Sequence, residues 1–597
     1  MALTKVTYSM IQGAPLNVLD FGAVGDGVAN DRNAIQAAVT ALSVGQTLIL
    51  PSGYTFKVVN ATGTGDNIVA QRANAVANST LYAITSSANN ITIQIDGAVQ
   101  STSALDDVFR FTGTEVTVCG SGSVTGPAIY LDTNSTDLAQ QWYPSLVKLS
   151  GDQSLCANLT VVNAPAVGIF LTSNNSRVVN NIIIGGPVTR GAGTVSFGIC
   201  LGAPTGGNAF CTAIGNKFDV GAGDGAMYNA IFSVALSCII TDNIGYGLFD
   251  HGVYNNGSYS VISDNRFGGL STRAMIAAGI QNFASGCTIS NNSLSYCTGG
   301  IALAACSDTT VTSNNMSVGI ALGGISVRRL GSDATSTTYR NIVITDNIIN
   351  VPGISQQAID VAVDNSILGL TISSNCITGS AATYGAIVVR NSGSFTVTQV
   401  KITDNFVSQC NSYGIELSGV SVFSVSNNQI VNANGTTSNI AINCETNCVN
   451  GIVKCNQVSD SRVTPLTSRI FFGSGTGNTN ITVSENSADS LLTTTDPFVA
   501  LPAVGYKFGN TINGNPTIGT FTVTNASSAT ITAPVQAASG GVTSVLLLPL
   551  NKAAWDLQSA VNRIYVSTVS AGSFVWSTSN GAATGSTTAQ FQYQIIQ

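Results

Sequence analysis

Val179-Asn180-Asn181-Ile182, Thr241-Asp242-Asn243-Ile244 and Ser263-Asp264-Asn265-Arg266-Phe267 are three copies of one phrase. An apolar run ends in a small residue, then Asp, Asn or Ser, then Asn, and a new apolar run begins. The phrase returns at Asn292, Asn315, Asn347, Asn375, Asn405, Asn428, Asn456 and Asn486, with an incomplete version at Asn216. A repeat of roughly 20–35 residues whose length varies marks a solenoid with loops of unequal size.

The segments between the phrases identify the type of solenoid. Ile342-Val343-Ile344, Leu370-Thr371-Ile372, Val400-Lys401-Ile402 and Phe423-Ser424-Val425 are short, β-branched or aromatic, and alternate with period two. None is long enough for a helix. Each turn of the solenoid is therefore two or three short strands, with the next turn about 4.8 Å along the axis. The expected fold class is all-β, a right-handed parallel β-helix. The recurring Asn is expected to serve the bends, because it tolerates left-handed backbone geometry and its amides can ladder along the axis.

A second phrase lies between the Asn turns. It reads Gly168-Ile169-Phe170-Leu171, Gly198-Ile199-Cys200-Leu201, Gly300-Ile301-Ala302-Leu303, Gly324-Ile325-Ser326-Val327 and Gly414-Ile415-Glu416-Leu417. Ala358-Ile359-Asp360-Val361 and Ala386-Ile387-Val388-Val389 are variants. Alternation sends Ile and the second apolar residue inward and the residue between them outward. One column of outward side chains results.

Composition agrees with a stacked structure. Charged residues are 9% of 597, against roughly 25% in an ordinary soluble domain. Stacked neutral amides and hydroxyls can ladder, whereas stacked like charges repel. The net charge of −7 and the lack of a basic run argue against nucleic acid. No window nears the roughly 18 apolar residues of a membrane helix, and Met1 to Leu16 does not read as a secretory signal. With 13 Cys but one His, no Cys/His zinc site is expected. The cysteines read as reduced, buried, small apolar residues. No cofactor or metal is required.

The ends differ from the middle. Asn30 or Asp31 precedes Ile35, Ala38, Val39 and Leu42 at helical spacing, so a short helix capped there should cover the first coil. Thr47 to Gly53 reads as strand and turn. The stretch Asn17 to Ala34, with Leu50-Pro51-Ser52-Gly53, resembles the opening of the pectate-lyase-like β-helix superfamily. The lead-in Thr4 to Met10 resembles that of bacteriophage tailspikes and capsule depolymerases. This motif resemblance covers about the first 60 residues. It implies residues 1–60 as lead-in and capping helix, 61–490 as parallel β-helix, and 491–597 as a C-terminal β domain that trimerises. A glycan-binding module is the alternative for that last domain, which holds Trp555 and Trp576. The resemblance further implies a homotrimeric tail or baseplate component that acts at the bacterial surface on O-antigen or capsule.

Charges are scarce, so their placement carries weight. Asp360 and Glu416 hold the same outward position in phrases separated by the one holding Val388. Their backbones should lie about 10 Å apart. Inverting glycosidases separate their carboxyls by about 6.5–9.5 Å, one acting as acid and one as base. Arg328 and Arg390 lie nearby and could hold sugar hydroxyls or acidic sugars. Tyr246, Phe249, Asp250, His251, Tyr254 and Gln281 form a second candidate sugar-binding group, with Asp219 and Asp224 in a glycine-rich loop one coil earlier. Solvated charges and ordinary packing are the plain readings of the two groups. Endo-glycosidic hydrolysis is the leading expectation. A lyase acting on an acidic glycan, a fibre that only adheres, and a de-esterifying enzyme are the alternatives.

Overall fold

In the computed structural model the chain forms two compact units, residues 1–321 and 322–597. The structure describes residues 14–59, 82–103, 107–127, 145–164, 166–185, 197–202, 207–219, 229–248, 250–269, 274–304, 306–320, 323–328, 338–350, 357–363, 366–380, 385–391, 395–410, 412–431, 440–459 and 470–488. C-terminal to these it describes 506–508, 511–512, 515–516, 518–523, 528–532, 544–551, 554, 564–570, 573–578 and 589–596. The lead-in Thr4 to Met10, Asp224, Phe249 and Trp555 lie outside them.

The fold is the expected right-handed parallel β-helix. Each rung has three strands, one in each of three parallel sheets, here called C, A and B in chain order. In the first unit one rung is Val167–Leu171 (C), Arg177–Val179 (A) and Ile182–Ile184 (B). The next is Phe197–Leu201, Thr212–Ile214 and Lys217–Asp219, paired in parallel register strand on strand. In the second unit Ile359–Val363, Ile367–Ser373 and Cys376–Ser380 form a rung on which Ile387–Asn391, Val397–Thr403 and Phe406–Cys410 stack. Parallel pairing continues to Tyr506–Phe508 and Thr511–Ile512.

The core follows from alternation. In the first unit Phe109, Val147, Ile169, Ile199, Ile231, Val253, Ile280 and Ile301 stack in register on the inner face of sheet C, all buried. The glycine that precedes this position has a steric cause. A Cβ on Gly252 would lie 2.4 Å from the Phe267 ring, and one on Gly414 would lie 2.7 Å from Ile430. The inward residue of sheet B fills the space a side chain would need.

The asparagine phrases superpose as a ladder. In the first unit the main-chain N–H and side-chain amide of Asn181 both donate to Asn216 Oδ1 at 3.0 Å. Asn216 bonds to Asn243, Asn243 to Asn265, Asn265 to Asn292 and Asn292 to Asn314 in the same way. The second unit carries its own ladder through Asn347, Asn375, Asn405, Asn428, Asn456 and Asn486. All these amides are buried, and many also donate to a carbonyl of the rung before, as Asn265 does to Ile240.

Three sequence expectations are corrected here. Asn314, and not Asn315, is the ladder residue; Asn315 opens the following strand. Asn216 is a full member, preceded by Gly215 at φ 66°. The left-handed conformation belongs to the residue before the ladder Asn: Asn180, Asp242, Asp264, Asn291, Asp346, Asp404 and Asn427 have φ of 55–59°. One residue turns the chain and the next ties the rungs together.

The N-terminal helix is Arg32–Thr40, with Ile35, Ala38 and Val39 buried. It lies against the strand Tyr82–Ser86, where Arg32 Nε donates to the Ala83 carbonyl at 2.9 Å and Gln36 bonds the main chain of Thr85. Asp31 precedes the helix but does not cap it by side chain. Its carboxylate instead accepts from the N–H groups of Val24, at 2.7 Å, and Gly25, at 3.1 Å. That contact folds the acidic, glycine-rich opening back onto the helix start.

All 13 cysteines are free thiols, and 10 are buried. Cys119 is half-buried, while Cys376 and Cys455 are exposed and so depart from the expected apolar packing role. Burial pushes the Cys297, Cys306 and Cys410 thiols up to about 12. Beyond the helix lie two small antiparallel sheets. One is Ile518–Val523, Ala589–Ile596 and Ser544–Pro549; the other is Ser528–Thr532, Ser573–Thr578 and Ile564–Ser570. Phe574, Trp576, Phe591 and Tyr593 pack as their core.

Candidate functional site

The outer face of sheet C in the second unit carries two neighbouring columns. Ser326, Asp360, Val388, Glu416 and Asn443 are in register on successive rungs. Two residues further along each strand come Arg328, Ala362, Arg390, Ser418 and Glu445, where Ala362, Arg390 and Ser418 pair in register. Strand alternation thus brings Asp360, Glu416, Arg328 and Arg390 to one patch, as the phrases implied.

Outward direction is not exposure here. The Asp360 side chain is 12% exposed and that of Arg390 25%, while Glu416 is 1% exposed. Arg390 Nη2 stands 3.5 Å from Asp360 Oδ1, a long contact of limited strength. Glu416 Oε2 accepts a 3.0 Å hydrogen bond from the Gly385 N–H. Glycine at 385 eases this approach, since an added Cβ would come within 3.1 Å of Glu416 Cβ.

The electrostatics of the two carboxyls differ. Burial raises the pKa of Asp360, and Arg390 and Arg328 oppose that rise. Burial also raises Glu416; the Gly385 N–H and Arg390 pull it down, but the nearby carboxylates of Glu445 and Asp360 push it further up. One carboxyl is flanked by cations and the other by anions. Such a pair can divide the roles of proton acceptor and proton donor.

The second group lies on sheet C of the first unit. His251 opens the strand His251–Asn255 and stands in register with Asn229. Its Nδ1 is 3.0 Å from Asn229 Oδ1 and 2.8 Å from Asp250 Oδ2, and its Nε2 is 2.5 Å from Gln281 Oε1. The Asp250 Oδ2 contact is close but does not have hydrogen-bond geometry. Tyr254 packs against Phe232 (5.5 Å), Phe283 (5.2 Å) and edge-on to His251 (5.2 Å). Asp250 and His251 are buried, whereas Tyr254 and Gln281 stand partly exposed and in register on the outward column. Tyr246 is on sheet B, in register with Asp219, and does not join them.

Several participants were not anticipated. Asn229 was findable, because it precedes Ala230-Ile231-Phe232, a partial copy of the second phrase, as His251 precedes Gly252-Val253-Tyr254 one rung later. Gly385 precedes its phrase and carries no signal of its own. Among the described residues no group of three or more His, Cys, Asp or Glu could hold a metal ion.

The architecture is three parallel sheets followed by small antiparallel ones, a parallel β-helix shared with solved structures. In particular, the chain is similar in fold to the tailspike protein of E. coli bacteriophage HK620 in complex with a pentasaccharide. That match has 13% identity and a TM-score of 0.52 over 99% of this chain and 96% of that chain. A single-site variant of the same tailspike, also with pentasaccharide, matches at 12% identity and TM-score 0.52 over 98% and 93%. A double variant matches at 13% and 0.53 over 99% and 96%. No protein-family model and no curated protein sequence matches the chain.

Proposed function

We propose that this chain is a phage tail component that binds a bacterial surface polysaccharide as a homotrimer and cuts it by endo-glycosidic hydrolysis. The observation that carries this reading is the register Asp360–Val388–Glu416 on one outward column. Two rungs separate the backbones by about 10 Å, and side chains leaning together can reach the inverting spacing of about 6.5–9.5 Å. Glu416, with carboxylate neighbours, is the proton donor to the leaving oxygen. Its Oε2 is engaged by Gly385, so the proton sits on Oε1. Asp360, with arginine neighbours, is the base that activates water. Arg328 and Arg390 hold the glycan beside them. In the other unit Tyr254 and Gln281 offer the accessible surface for sugar, and Asp250 and His251 position it from below.

Incubation with a panel of purified O-antigen and capsular polysaccharides tests this. Shortened polymer with new reducing ends and no ultraviolet absorbance from unsaturated ends supports hydrolysis. Absorbing ends would establish a lyase instead.

One observation favours a second reading, a fibre that adheres without cutting. Glu416 is 1% exposed and tied to the main chain, as a structural carboxyl would be. Retained binding with unchanged polymer length would favour that reading.

A further inference from the structure

The glycan-binding reading of the second unit's outer face can be taken one step further, to the charge of the glycan. Arg328 makes no hydrogen bond and no ion pair among the described residues, and its Nε is buried without a partner. The carboxylate nearest in the fold, Asp360, is engaged with Arg390 instead. Asp360 offers Arg328 charge but no hydrogen bond, and a buried donor without a partner is costly, because desolvation removes water bonds that nothing replaces. Ser326 stands two residues before Arg328 on the same face, and the next rung contributes Asp360 and Ala362. Ala362 in turn pairs with Arg390. Two guanidinium groups on one face, about two rungs or 10 Å apart with only a methyl between, make a shallow cationic notch.

We propose that this notch reads a carboxylate on the polysaccharide, so that the substrate is an acidic glycan with a uronic-acid-type sugar and Arg328 is its specificity residue. A planar guanidinium fork matches a carboxylate in two parallel hydrogen bonds. Arg328 is the open partner for it, while Arg390 divides its charge between the ligand and Asp360. A neutral sugar would satisfy the donors of Arg328 but leave its charge unbalanced. This inference rests on the site being a glycan site and is independent of whether the bond is hydrolysed or eliminated.

The test uses the full chain and a panel of purified capsular polysaccharides, each in native form and after chemical reduction of its carboxyl groups to alcohols. Binding is measured by calorimetry and cleavage by chain length. The expected result is that the bound polymer is acidic and that carboxyl reduction weakens binding at least ten-fold. Arg328→Gln should weaken binding of the native polymer by a similar factor and weaken binding of the reduced polymer much less, by no more than about two-fold. Arg328→Lys should recover part of the loss, which a merely structural arginine would not require. Equal binding of native and reduced polymer, or equal loss on both from Arg328→Gln, overturns the proposal. Cleavage of a neutral polymer that needs Asp360 and Glu416 would overturn the acidic substrate and keep the hydrolase. Carboxylate-dependent binding without cleavage would do the reverse.

Discussion

Asn265 Oδ1 accepts two hydrogen bonds from Asn243, one from its main-chain N–H at 3.0 Å and one from its side-chain amide at 2.9 Å. One oxygen therefore satisfies two buried donors of the preceding rung. Asn265 also donates to Ile240 O and to Asn292 Oδ1. Replacing it with Leu of similar size leaves these groups unpaired in the interior. Each buried unsatisfied group costs about 1–3 kcal/mol. Asn265→Leu should lower the thermal unfolding midpoint by several degrees or prevent folding. An unchanged midpoint would mean that the amide ladder contributes little.

The residue before each ladder Asn offers the opposite kind of change. Cys455 and Glu485 hold left-handed backbone, at φ 54° and 56°, where other rungs use Asn, Asp, Ser or Gly. Left-handed geometry costs an ordinary L-residue about 1–2 kcal/mol, and Asn less. Both residues are exposed. Cys455→Asn and Glu485→Asn should each stabilise the chain by up to about 1 kcal/mol, read as a raised denaturant midpoint. A fall in the midpoint would show that the Cys455 Sγ to Glu485 Oε2 contact, 3.4 Å, outweighs the backbone term.

Chemistry at the proposed site should depend on both carboxyls. Asp360→Asn and Glu416→Gln remove proton transfer while keeping shape. Loss of a general acid or base costs about 100- to 10,000-fold in rate. Cleavage should fall by that order in each variant while calorimetric binding of the polymer stays within a few-fold. Normal digestion by both variants would remove the assignment.

The same carboxyls predict a pH effect on stability. Both have folded pKa values above their ordinary 3.8 and 4.5, chiefly through burial. A raised carboxyl contributes stability that is complete below its unfolded pKa and is lost as pH rises through the folded value. Wild-type chain should therefore lose ground to Glu416→Gln as pH climbs from about 4 to 7. Unfolding midpoints of the two proteins across that range check this. Wild type gaining stability relative to Glu416→Gln as pH rises would contradict the sign.

How much of this could be read from sequence alone follows from what each residue answers to. The rungs were legible because alternation and the Asn phrase are local patterns that a stacked fold repeats. Ser313-Asn314-Asn315-Met316 misled by one position, since two adjacent Asn fit the phrase equally and only burial chooses Asn314. The alignment of Asp360 with Glu416 was legible because equivalent phrase positions must stack. The burial of Glu416 was not, because exposure on the outer face depends on what packs over it, which no rung phrase encodes. Nor was the role of Gly385, which acts through a tertiary approach to a carboxyl 31 residues away.

The link from sheet A to sheet B is two residues long at every asparagine turn, from Val179–Ile182 to Ser484–Ser487. The link from sheet B to the next sheet C ranges from one residue, between Ser295 and Cys297, to 24, between Lys57 and Tyr82. Length variation is thus confined to connections that never carry the spine's hydrogen bonds. Such a chain can trade one surface segment for another without renegotiating how it folds.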